Sequence, residues 1–179
     1  MALYSEVRAA IRKAVIAALS EYTNPVVIFG NNNGAEPAES YVVVNILGTT
    51  QQGRHSTSTF TNANEEITIQ AFNEMMVQFS FIGSLSGEMS HSFSQRINNN
   101  PVALQELNKY KIGIMRKSNI RRSPQKRDTK WVEYHNIDVT FNYAANTQEK
   151  FDVVEALVFE DNLSETPLIF SVPPGIIYP

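Results

Sequence analysis

Two stretches of this chain alternate apolar and polar residues with a period of two. In the first, Ile67, Ile69 and Ala71 are followed by Val77, Phe79 and Phe81. In the second, Trp131, Glu133, His135, Ile137, Val139, Phe141 and Tyr143 fall on one side. Successive side chains of a strand point to opposite faces, so this pattern requires a sheet with one packed face and one wet face. The first stretch reads as two strands, 65–72 and 76–83, joined near Asn73-Glu74, although one long strand fits almost as well.

The rest of the chain supplies what covers that sheet. Residues 3–22 carry Leu3, Val7, Ile11, Ala14, Val15, Ala18, Leu19 and Tyr22 at spacings of three and four, which predicts an amphipathic helix ended by Asn24-Pro25. Val26 to Phe29 is a short β-rich run, and Tyr41 to Leu47 (YVVVNIL) reads as a strand. Between 84 and 98, Leu85, Met89, Phe93 and Ile97 recur every fourth residue, predicting a helix capped by Ser84 or Ser86. Asn100-Pro101 opens another short helix through Tyr110. Strands follow at 112–115, 131–143 and 151–159. The order α-β-β-β-β-α-α-β-β-β predicts an α+β fold: a mostly antiparallel sheet with the N-terminal helix and one or two more helices on one face. Val43, Ile69, Phe79, Phe141 and Leu157 are the expected core markers. Residues 1–160 are expected to form one domain, with a polar arm at 48–64, a basic loop at 116–130 whose tip is Pro124, and a Pro-rich extension at 161–179 that docks rather than hangs free.

Composition removes most chemistry. With no cysteine among 179 residues, disulfides, thiolate metal sites and cysteine nucleophiles are excluded. His55, His91 and His135 are far apart and lack metal-binding spacing, so no metal, cofactor or catalytic residue is expected. Gly83-Ser84-Leu85-Ser86-Gly87 has the strand-to-helix context of a nucleophile elbow but places Leu85 where the serine must stand. Gly30-Asn31-Asn32-Asn33-Gly34 lacks the lysine of a phosphate loop and reads as a turn. No apolar run is long enough for a membrane span, and the first residues do not resemble a secretory signal. A reducing cytoplasm, or a structure assembled there, is the expected setting.

Charge is arranged in blocks. Residues 1–108 hold 5 basic and 9 acidic side chains, and residues 131–179 hold Lys150 against 8 acids. Between them Lys109, Lys111, Arg116, Lys117, Arg121, Arg122, Lys126, Arg127 and Lys130 face only Asp128. Opposed blocks suit directional contact with a partner or another copy. The basic stretch admits three readings: phosphate contact, a solvated loop balancing the acidic third, or contact with an acidic face of a neighbouring subunit. Arg116, Lys117, Arg121, Arg122, Lys126 and Arg127 are the candidate interface or lumen residues. Phe60, the lone large apolar residue of the polar arm, and Arg54 join them.

Four segments together resemble a known family: VQFSFIGSLSGEMSHSFSQRI (77–97), KIGIMRKSNIRRSPQ (111–125), WVEYHNIDVTFNYAAN (131–146) and VVEALVFE (153–160). With the opening helix, PVVIFG and YVVVNILG, they are similar to the neck or tail terminator proteins of tailed bacteriophages. The resemblance implies a non-enzymatic virion subunit that assembles into a closed ring, usually a hexamer, on the end of the tail tube. It further implies contacts with the tail tube protein and with head–tail connector proteins, and no cofactor. Contact between the basic loop and packaged DNA remains open beside contact with a neighbouring subunit. The reading from another class is a nucleic-acid-binding accessory protein using 109–130; an enzyme with a site built from isolated residues comes third.

Overall fold

The computed structural model describes residues 4–30, 34–57, 66–150, 156–159 and 168–171. Helix α1 (Tyr4–Ala18) turns Val7, Ala10, Ile11, Ala14, Val15 and Ala18 inward, the stripe its spacing dictates. It ends four residues earlier than expected, and Leu19 to Tyr22 continue as turns in which Leu19 is still fully buried. Asn24 adopts φ 52 ahead of Pro25, a conformation that asparagine tolerates and that finishes the reversal.

Strand β1 (Val26–Phe29) pairs in parallel with β2 (Tyr41–Thr57), Val26 opposite Tyr41 and Phe29 opposite Val44. Strand β2 therefore runs into the polar segment expected to be an arm. Asn73-Glu74 is not a joint: β3 (Glu66–Ile82) is one strand, the second of the two readings of this stretch. Helices α2 (Ser86–Arg96) and α3 (Pro101–Asn108) follow, then β4 (Gly113–Lys117), β5 (Arg121–Arg122), β6 (Gln125–Arg127), β7 (Lys130–Val132) and β8 (Tyr134–Lys150). The main sheet has the order β1-β2-β3-β8-β4, with β5 also paired to β8. Strands β4 and β5 run antiparallel to β8, and a bulge between Ile114 and Arg116 interrupts β4. Strands β9 (Ala156–Phe159) and β10 (Leu168–Ser171) form a separate antiparallel pair, so part of the C-terminal segment pairs with the strand expected at 151–159, of which residues 151–155 lie outside the described residues. The fold is α+β with a mostly antiparallel sheet. No helix among the described residues is long and apolar enough to cross a membrane.

The chain divides into two units. One is Met1–Gly53 with Phe72–Ala145, and the other is Arg54–Ala71 with Asn146–Pro179. In the first, the three helices pack on one face of the sheet. Phe79 and Phe141 are buried as expected, their ring centroids 6.3 Å apart, and Phe93 of α2 sits 4.8 Å from Phe79 and 5.4 Å from Phe81. Aromatic pairs at these separations gain about 0.5–1.5 kcal/mol each beyond the area they bury. Two core expectations fail. Val42 and Val44, rather than Val43, face the helices, because three consecutive valines give no period from which to choose a face. Ile69 is only half-buried, and the side chain of Leu157 lies outside the described residues. Val43 belongs to a second cluster on the opposite face, with Tyr41, Ile82, Tyr134, Val26, Ile28 and Val132.

The helix termini are tied to specific partners. The Asn100 side chain accepts from the backbone N–H of Val102 and Ala103 at 2.9 and 3.2 Å, capping α3, and its amide donates to the Ala17 carbonyl at 3.1 Å. One residue thus starts one helix and anchors the end of another. Neither serine caps α2: Leu85 occupies the N-cap without a side-chain bond.

Candidate interaction surfaces

The basic stretch is a series of short strands, of which β4 and β5 pair with β8 and β6 pairs with β7, and most of its cations are already engaged. Arg116 stands opposite Thr140 in the β4–β8 ladder and donates to its hydroxyl at 3.1 Å. Lys117 reaches the Ser94 carbonyl in the last turn of α2, where a cation complements the helix dipole. Arg121 pairs with Asp138 at 2.6 Å, and the Ser118 backbone and hydroxyl bracket that residue's main chain. Arg122 grips Glu133 with two bonds, at 2.5 and 2.9 Å. That bidentate bond holds the Glu133 carboxyl below its ordinary range and raises the already high Arg122. Lys126, Lys130 and Lys111 have no acidic partner among the described residues. Arg54 lies in β2 with its side chain outside the described residues, and Phe60 lies outside them altogether.

Strands β6 and β7 form a hairpin with Gln125 opposite Val132, Lys126 opposite Trp131 and Arg127 opposite Lys130. The tip is therefore Asp128-Thr129, not Pro124, and Asp128 takes the left-handed conformation the turn requires, at φ 50. The sequence pattern hid this hairpin because its strands are three residues each, too short for alternation to show, and β6 is wholly polar.

The inner face of the hairpin is fastened to the sheet. Arg127 donates to the Glu36 carboxylate and to the Tyr134 hydroxyl, with its guanidinium 5.3 Å from the Tyr134 ring. Tyr41 donates to the same carboxylate at 2.6 Å. That hydrogen bond, with the Arg127 charge, holds Glu36 below the usual carboxylate range. Burial, reinforced by Glu36, pushes Tyr41 up to about 12. Beside this clasp an open groove of about 520 Å³ crosses the helix-free face of the sheet, between the loop at 34–37 and the hairpin. Asn45, Gln78, Ser80 and Asn136 form its floor.

A second polar contact lies at the start of α2. The buried Ser86 hydroxyl and His135 Nδ1 are 3.0 Å apart, and burial pushes the imidazole below its ordinary value. Their separation of 49 residues gave the sequence no signal for this pair. Ser86 is fully buried and Glu133 is committed to Arg122, so the pair lacks the exposed nucleophile and oriented base that acyl transfer needs. Among the described residues no three His, Asp or Glu side chains converge as metal ligands would.

What the surface offers is contact. Tyr4, Leu47, Phe72, Met76, Leu85, Val102, Met115 and Trp131 are large apolar side chains left in water, and Trp131 is the most exposed at 69%. A family model described as phage neck terminator protein matches residues 13–162. The chain belongs to that family. No curated protein matches it.

Membership makes this a structural protein of the phage neck, part of the virion, whose work is interaction with other virion components. The match to the neck terminator family begins within α1 and runs through both units past β9. It therefore includes the paired arginines, the β6–β7 hairpin and the helix-free sheet face.

Proposed function

We propose that the chain is the repeating subunit of a closed ring, hexameric in number, that caps the tail tube and presents the surface to which the head is joined. Its partners are then other copies of itself, the tail tube protein on one side and head–tail connector proteins on the other. Assembly takes place in the host cytoplasm. The observation that carries this reading is the match to the neck terminator family over residues 13–162. The opposed charge blocks support it, since head-to-tail contacts between unlike surfaces generate rings when the rotation closes. The engagement of Arg121, Arg122 and Arg127 with the chain's own acids favours a protein-facing surface over one built to neutralise phosphates. Arg54, Phe60 and the six cations of the basic stretch remain the proposed contact residues at the subunit interface or lumen.

Removal of the chain from the infecting phage tests the reading. Electron micrographs should show heads and tails unjoined and tails of irregular length, with joined particles restored when the chain is resupplied. Joined particles of normal tail length in its absence would overturn the proposal. A strict monomer that binds duplex DNA with a steep salt dependence would favour the nucleic-acid reading instead.

A further inference from the structure

We infer that the pocket around Arg8 is a carboxylate site, filled in the ring by an acid from the second unit of the neighbouring copy. This rests on the ring reading above and adds to it a place where one copy holds the next.

The pocket is built around a cation that the described residues give no anion. Arg8, on α1, holds its guanidinium 4.3 Å from the Phe29 ring centroid and 5.9 Å from that of Tyr4. Its Nε is enclosed without a hydrogen-bond partner, a state rare in folded proteins because the group loses water and gains no acceptor. Arg12, one turn along the same helix face, gives its Nε to the Val27 carbonyl at 2.9 Å. Neither arginine has an acidic partner among the described residues. Like charges one turn apart repel, so this part of α1 gains from any carboxylate that reaches it. The stack on Phe29 sets the plane of the Arg8 fork in advance, and a planar fork is what a carboxylate meets with two parallel bonds.

The space beside Arg8 measures about 480 Å³, with Tyr4, Phe29, Gly30, Asn45 and Leu47 on its walls and no acid among the described residues that line it. Tyr4 and Leu47 are half-exposed, at 51% and 53%. Such a pocket suits a carboxylate that has a large apolar neighbour. The chain carries that chemistry in its second unit. There eight acids stand against Arg54 and Lys150, whereas the first unit holds 13 basic and 10 acidic side chains. Two of the eight, Asp152 and Glu160, directly follow Phe151 and Phe159. Opposite net charge on two units of one polypeptide selects another copy as the source of the acid. A single arginine fork with apolar edges suits one carboxylate better than duplex DNA, whose phosphates are met by many cations in line. Because pocket and acid belong to different surfaces, the contact is heterologous and propagates from copy to copy.

A photo-reactive benzoylphenylalanine in place of Leu47, an exposed wall of the pocket, tests this in assembled necks. Illumination should give two or more covalently joined copies on a denaturing gel. Mass spectrometry should place the joint within residues 146–179, where six of the eight acids lie. A joint to another part of the neighbour, to a different virion protein or to DNA would overturn the choice of occupant. Rings intact by electron microscopy but yielding only single-copy bands, with or without an internal joint, would overturn the contact while leaving the ring standing. Absence of rings from necks built with the unmodified chain would sink the ring and this contact together. In parallel, Arg8→Gln removes the charge and Leu47→Glu sets a competing carboxylate at the pocket. Each variant, shown to be folded by circular dichroism, should lower the yield of joined particles about tenfold or more, the effect of losing one charge-assisted bond per copy. An unchanged yield in either would also refute the contact.

Discussion

The pairing of Ser86 with His135 fixes a pH dependence on a single side chain. Burial lowers the folded-state value of His135; Glu133 opposes that shift, while Arg122 and His91 reinforce it. The unfolded chain, with an ordinary value of about 6.5, takes up a proton that the folded chain refuses. Stability is therefore level above about pH 6.5 and declines as pH falls from there towards the folded value. Melting temperatures taken between pH 5 and 8 should show that decline in the wild type and a smaller one in His135→Gln; parallel curves would mean that the imidazole is not the group responsible. Phe79 acts at the same scale through packing alone. It is fully buried, with Phe93 and Phe141 against it, so Phe79→Ala should cost about 3–5 kcal/mol. Urea denaturation would show this as a lowered midpoint, and an unchanged midpoint would contradict the packing described.

At the scale of elements, the paired arginines join β5 and its approach to β8. Arg121 and Arg122 are more than half exposed, at 54% and 63%, so solvent screens both ion pairs. Reversing both residues to glutamate should leave the subunit folded with little loss in melting temperature. It would also turn two cations of the proposed joining surface into anions facing Asp138 and Glu133. Fewer joined particles at unchanged circular dichroism is the expected outcome, and normal joining would leave these residues a purely local role. This is also the scale at which the sequence was most and least legible. Helix α1, the cap at Asn100 and the buried half of β8 follow directly from periodicity and capping chemistry. The residues of β3 read as two strands or, almost as well, as one, because Asn73 and Glu74 look like a turn; the structure decides for one, with the strand running straight through them. The inward face of β2 was misassigned because Val42, Val43 and Val44 are chemically identical. The clasp of Arg127 on Glu36 and the Ser86–His135 contact depend on residues brought together across the fold, and spacing along the chain carries no trace of them.

For the whole molecule, the boundary between the two units falls inside β2, next to Gly53, where the chain adopts φ 69. Gln51, Gln52 and Gly53 are all exposed. Limited trypsin digestion should cleave near Arg54 readily in the free subunit and slowly in the virion, if ring closure covers this segment. Equal rates in both would remove residues 49–64 from the proposed contacts.

The edges of the main sheet bear on how the protein survives before it is used. A bare sheet edge invites amyloid-like stacking in any subunit not yet built into its assembly. Strand β1 offers only four residues. Strand β4 is broken by its bulge and carries Arg116 and Lys117, which disfavour a stacked neighbour. Backbone-to-backbone growth is thus blunted at both ends. What remains for recognition is side chains, which can be reversible and selective where strand addition would be neither.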